Sequence, residues 1–135
     1  MKSDDIAVLI KYRLEQAQVA LDDAKYLIDG GRSPQSIVNR SYYAMFYAVL
    51  ALLQKSGNIP SKHSGAIGLF DKEFVKKDIF PKKLSKSLHR AFEQRQAFDY
   101  KIVEKLSQKR AIEVWQQAVE FVETVGGYLF PQKES

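Results

Sequence analysis

Apolar residues recur along this chain at three- and four-residue spacings, the period of helices that bury one face. Ile6, Leu9, Ile10, Leu14, Ala17, Leu21, Ala24, Leu27 and Ile28 predict a first helix from about Asp4 to Asp29. Ser3 suits its N-cap, Asp4 and Asp5 suit its positive first turn, and Gly30-Gly31 ends it. Ser33-Pro34 opens a second helix, with serine as cap and proline at the first position. That helix carries Val38, Tyr42, Phe46, Val49 and Leu53, runs to about Ser56 and stops at Gly57. Asn58 to His63 reads as a loop around Pro60, followed by a short third helix from about Ser64 to Lys77 with Ile67, Phe70, Phe74 and Val75. Pro81 starts a fourth helix, and Tyr100 to Leu106 reads as a break. Ser107 caps a last helix with Ile112, Trp115, Val119, Val122 and Val125, whose end Gly126-Gly127 is expected to fray. No run alternates with period two for long enough to make a strand. The expected fold is all-α, an antiparallel bundle of four long helices plus one short one, in a single domain over residues 1–135.

The fourth helix breaks its own pattern. Taking Lys82 to Tyr100 as a helix that turns about 100° per residue, Leu84, Leu88, Ala91, Phe92 and Phe98 share one stripe. Arg95 falls in the middle of that stripe, and Asp99 lies close to it one turn later. A cation on a packing face needs a partner, because an unpaired buried charge is costly. Two readings follow. Asp99 pairs with Arg95 in a structural ion pair, or the guanidinium is held in a groove to meet a phosphate or a second subunit.

Charge sharpens the picture. The formal net charge is +5. Between Asp71 and Lys101 there are nine basic residues (Lys72, Lys76, Lys77, Lys82, Lys83, Lys86, Arg90, Arg95 and Lys101) against five acidic ones, so this segment carries +4 of the total. A local basic surface favours polyanions, although lysines on helices also simply keep a protein in solution. There is no cysteine, which removes disulfides and thiolate metal sites. The opening Met1-Lys2-Ser3-Asp4-Asp5 lacks the basic and apolar regions of a secretory signal, and the apolar run Tyr42 to Leu53 is too short to span a bilayer. The chain reads as cytoplasmic, with no membrane association.

Candidate chemistry is confined to a few places. Asn39, Arg40, Tyr43 and Tyr47 border the apolar stripe of the second helix, offering an amide, a guanidinium and phenols to one groove. Phenols beside an arginine suit a nucleotide, with rings to stack a base and charge for phosphate. Tyr42 lies within the stripe and reads as core. Only two histidines occur. His63, just before the third helix, is a candidate anion contact, and His89 points away from the stripe and is expected to be solvated. No metal-ligand spacing, phosphate-cradling glycine loop or nucleophilic serine arrangement appears, so neither a metal nor a cofactor is expected.

Three segments resemble the HEPN superfamily, helical domains named for higher eukaryotes and prokaryotes nucleotide-binding. They are Asn39-Arg40-Ser41-Tyr42-Tyr43-Ala44-Met45-Phe46, Lys62-His63-Ser64-Gly65, and the run Arg90 to Tyr100. The likeness covers nearly the whole chain and is nearest to the small single-domain prokaryotic branch. It implies a helical bundle that dimerises. It also implies a toxin-antitoxin pairing with a small nucleotidyltransferase and an RNA or nucleotide ligand, with active members acting as metal-independent endoribonucleases. The family's signature is an arginine, a polar residue and, a few positions on, a histidine. Arg95 and Gln96 match its start, but the chain continues Ala97, Phe98, Asp99, Tyr100, Lys101, Ile102 with no histidine. The resemblance therefore makes Arg95, Asp99 and Tyr100 the catalytic candidates, and Asn39, Arg40, Tyr43, His63 and Arg95 the nucleotide- or RNA-binding ones. An ordinary carboxylate is a weak base and tyrosine a poor acid near neutral pH, so the expectation is binding with slow or no cleavage. Arg95 would offset phosphorane charge, and Tyr100 would offer a hydroxyl for nucleotide transfer by the partner enzyme.

Overall fold

The structure, a computed structural model, describes residues 3–99 and 106–131, with side chains described as far as residue 96 and again from residue 106. Among these residues there are five α-helices and no strand: α1 (Ser3–Asp29), α2 (Pro34–Ser56), α3 (His63–Phe70), α4 (Lys82–Asp99) and α5 (Gln108–Leu129). The expected all-α bundle of four long helices and one short one is present. The break expected over Tyr100 to Leu106 falls, except for Leu106, outside the described residues.

Local chemistry explains the boundaries. Ser33 caps α2 by accepting a hydrogen bond from the Ser36 backbone N–H, with Pro34 at the first helical position. Gly57 closes that helix at φ 78°, its N–H reaching the carbonyls of Leu53 and Gln54. Gly31, at φ 64°, makes the corresponding turn after α1, where the Arg32 N–H bonds the Leu27 carbonyl at 2.9 Å. The short connection folds α2 back along α1. Ser107 caps α5 through the Arg110 N–H.

α2 is the centre of the molecule and packs against α1, α3, α4 and α5. Its burial extends well beyond one stripe and includes Ile37, Ser41, Ala44, Met45, Ala48, Leu52 and Leu53. The buried Ser41 hydroxyl donates to the Ile37 carbonyl at 2.8 Å, so no polar group is orphaned there. Small residues on α1, chiefly Ala17, Ala20 and Ala24, admit the close approach of the two helices. The Trp115 indole N–H donates to the Leu21 carbonyl at 3.1 Å and ties α5 to α1.

Two details correct the sequence-based expectations. The third helix does not continue to Lys77. It ends at Phe70 and passes into a π turn at Asp71–Val75, where the Lys76 N–H bonds the Asp71 carbonyl at 2.9 Å. The wider turn puts Phe70 and Val75, five residues apart, both into the core. It also aims the Asp71 carboxylate at α4. Likewise Gly126-Gly127 does not fray the end of α5, which continues to Leu129. The Tyr128 ring sets its edge against Phe80 at 5.3 Å and Phe74 at 6.2 Å, and that packing holds the last turn. Among the described residues no helix is long and apolar enough to cross a membrane.

Candidate functional site

Three elements meet around Tyr42. The ring is fully buried on α2, as its place in the apolar stripe predicts. It packs against Phe46 at 5.9 Å, Tyr43 at 5.3 Å and, across on α4, Phe92 at 5.7 Å. Its hydroxyl is not idle core: it shares a 2.9 Å hydrogen bond with His63 Nδ1, at the first residue of α3. The imidazole stacks on Phe46 with ring centres 4.0 Å apart and planes 23° from parallel. The α3 start is brought in by the preceding loop, which folds so closely that a Cβ on Gly65 would lie 3.0 Å from Pro60 Cβ. Sequence reasoning took Tyr42 for core and missed this polar link. The two residues are 21 positions apart, and no local pattern joins them.

Arg95 comes in from α4, half-buried as its place in the stripe predicts. Its guanidinium carbon lies 5.5 Å from the centre of the Tyr42 ring and 5.2 Å from that of Tyr43. Its Nε is buried and finds no hydrogen-bond partner among the described residues. Arg40, one turn before Tyr43 on α2, brings a second guanidinium to 5.2 Å from the same phenol. Asn39 orients it, its Oδ1 accepting from Arg40 Nε at 3.2 Å and Nη2 at 2.9 Å. The half-buried Tyr43 thus stands between two cations, each attracted to its π system.

Five of the candidates named from the sequence, Asn39, Arg40, Tyr43, His63 and Arg95, therefore come together, joined by Tyr42, Phe46 and Phe92. The other two catalytic candidates, Tyr100 and the side chain of Asp99, are outside the described residues, and so is the expected Arg95–Asp99 pair. His89 departs from expectation. It is not simply solvated, for its Nε2 pairs with Asp71 Oδ2 at 2.6 Å while the Ser85 hydroxyl donates to Asp71 Oδ1 at 2.7 Å. The four-residue spacing of Ser85 and His89 on one face of α4 was a readable sign, but the π turn that delivers Asp71 was not.

The electrostatics of the site are set by burial and by Arg95. Burial pushes the Tyr42 phenol well above its ordinary range, outweighing the opposite pull of Arg95, so the hydroxyl stays neutral. Burial and then the charge of Arg95 hold the His63 imidazole below its ordinary value, favouring the neutral ring. The arrangement offers two cations, a half-buried phenol held against both of them, and an imidazole whose neutral form is favoured. Among the described residues no three histidine, aspartate or glutamate side chains gather to hold a metal ion.

Comparison with known proteins bears on what such a cluster is for. The model of the HEPN domain family matches residues 10–128. A UPF0332 protein of Thermotoga maritima is 47% identical over 92 residues, which is 68% of this chain and 69% of that protein. Two proteins of Methanocaldococcus jannaschii carry the name "Putative toxin". MJ0142 is 36% identical over 87 residues, 64% of this chain and 58% of its own length. MJ0605 is 28% identical over 121 residues, 90% of this chain and 89% of its own.

Proposed function

Because this chain belongs to the HEPN domain family, we propose that it is a toxin-type member that holds RNA or a nucleotide at the Arg40–Tyr43–His63–Arg95 cluster. One observation carries the reading. Two guanidinium groups stand 5.2 Å from a single half-buried phenol, which gathers charge for a phosphate beside an aromatic edge that a nucleotide can meet. An arginine drawn onto a packing face serves a fold poorly unless something binds it, and Arg95 Nε has no described partner. The toxin names that two relatives carry support the toxin character. In this reading the protein works in the cytoplasm as a homodimer, paired with a small nucleotidyltransferase, as the family resemblance implies.

The test is fluorescence anisotropy with a labelled single-stranded RNA in low salt and EDTA. Arg95→Ala and Arg40→Ala are each expected to weaken binding about tenfold or more, since a charge-assisted contact contributes about 1.5–3 kcal/mol. Lys11→Ala, on the exposed side of α1, should change it little. Absence of binding by the unaltered protein would leave a structural interaction module as the better account.

A further inference from the structure

α1 has a second apolar row that the core does not use. Val8, Tyr12, Val19 and Tyr26 are all more than half exposed, Tyr26 at 80%. At about 100° per residue they fall within about 40° of one another, on the side of the helix opposite the buried Ile10, Ala17, Leu21 and Ala24. Single exposed apolar residues are ordinary, but four in line are not scatter, because the outer face of a surface helix normally carries charged and polar side chains. Tyr12, Val19 and Tyr26 stand seven residues apart. That repeat keeps a row in contact with one neighbouring helix over several turns. We propose that this row is the docking surface for a basic amphipathic helix of a different protein.

Charge selects the occupant. α1 carries six carboxylates, Asp4, Asp5, Glu15, Asp22, Asp23 and Asp29, all exposed, against the three cations Lys11, Arg13 and Lys25. Six against three leaves −3 on α1 in a chain of +5, so the rest of the chain carries +8. On the helical wheel Glu15 and Asp22 border the apolar row on one side, and Asp5 and Asp23 border it on the other. Lys25 is engaged with Asp29 at 2.6 Å, and Arg13 donates to Gln16 at 3.0 Å. Glu15, Asp22 and Asp23 form no ion pair among the described residues. A polyanion or an anionic bilayer is repelled by such a face. A second copy fits it poorly too. A two-fold axis repeats each contact, so it would set one acidic border against another.

A helix with lysines or arginines beside its own apolar row meets both features at once. Its apolar side chains cover the row, and its cations reach the carboxylates on either border, as flanking charges do where paired helices choose their partners. Tyrosine suits such a contact, because its ring covers a large area while its hydroxyl stays at the wet rim. From Val8 to Tyr26 the row runs about 27 Å at 1.5 Å per residue, so the occupant is a helix of about five turns. α1 contributes no residue to the Arg40–Tyr43–His63–Arg95 cluster, so this surface stands independently of the ligand proposed there.

The probe is a labelled synthetic helix of three heptads, with leucine along its row and lysine at the flanking positions. A counterpart carries glutamate in place of every lysine. Fluorescence anisotropy with the full chain should show binding of the lysine helix and little binding of the glutamate one, and added salt should weaken it. Val19→Ser and Tyr26→Ser should each lower the affinity about tenfold, with the circular dichroism spectrum and any RNA binding unchanged. The triple change Glu15→Lys, Asp22→Lys and Asp23→Lys should reverse the preference between the two helices. No binding of the lysine helix, equal binding of both helices, or undiminished binding by the serine variants overturns the proposal. Sedimentation of the protein alone examines the second-copy occupant: an assembly that Val19→Ser dissolves means that the row is used between copies. Attachment to neutral phosphatidylcholine vesicles that Tyr26→Ser abolishes means that a lipid surface covers it. Either result overturns the proposal as well.

Discussion

At the scale of single residues, the neutral imidazole of His63 has a consequence for stability. Its proton affinity in the folded protein is held below the ordinary value of 6.5 by burial and by Arg95. Below about pH 6.5 the unfolded chain therefore binds a proton that the folded chain refuses. Stability should be fully present above that point and decline as the pH falls towards the lowered value. Urea denaturation at several pH values, compared with His63→Gln, isolates this slice, and the variant should show a flatter profile as the pH falls below about 6.5. Parallel profiles for the two proteins would mean that the ring titrates as if exposed. Glu73, drawn down by its hydrogen bond to Lys77, titrates in a lower range, and its part in acid unfolding is common to both proteins. The contrast between Arg95 and His63 also shows what a sequence can reveal at this scale. Arg95 announced itself because a helical wheel needs only its neighbours on α4. His63 was readable only as an anion contact at a helix start; its bond to Tyr42 was not, because it forms only once α3 packs against α2.

At the scale of elements, capping chemistry was legible because it is local. Ser33-Pro34, Gly57 and Ser107 each act through residues within four positions, and each lies where the structure begins or ends a helix. The π turn at Asp71–Val75 was not legible, because its cause is tertiary: Phe70, Phe74 and Phe80 stack with ring centres 5.7–6.1 Å apart, and Val75 must also face the core. Gly126 and Gly127 misled for a related reason. Glycine costs a helix backbone entropy, but Tyr128 and Leu129 beyond them are anchored to the core. A Cβ at either glycine would meet nothing within 4 Å. Gly126→Ala and Gly127→Ala should therefore each stabilise the protein, by about 0.5–1 kcal/mol, through a more restricted unfolded chain and better helix propensity. Chemical denaturation of the double variant measures this, and a lowered midpoint would show that the last turn of α5 is not held as a helix.

At the scale of the whole molecule, charge and shape divide the labour. α2 supplies the centre of the core and also, along one edge, Asn39, Arg40 and Tyr43, so the site is built on the most constrained helix of the fold. The basic segment from Asp71 to Lys101 surrounds the helix that delivers Arg95, and it carries most of the net charge of +5. Residues that touch phosphates and residues that touch bases should then separate in their response to salt. Single-stranded nucleic acids release about 0.7 counterion per phosphate neutralised, so log affinity falls linearly with log salt. Removing one phosphate contact lowers both the affinity and that slope. Arg40→Ala and Arg95→Ala are each expected to reduce the slope for single-stranded RNA by about 0.7. Tyr43→Ala should weaken binding by roughly 1–3 kcal/mol through lost stacking while leaving the slope near its original value. If all three variants shift affinity without changing the slope, the arginines serve the aromatic cluster rather than a phosphate. The basic surface of the preceding turn and α4, with Lys72, Lys76, Lys82 and Lys86 all exposed, would then be the place to look for the phosphate contacts.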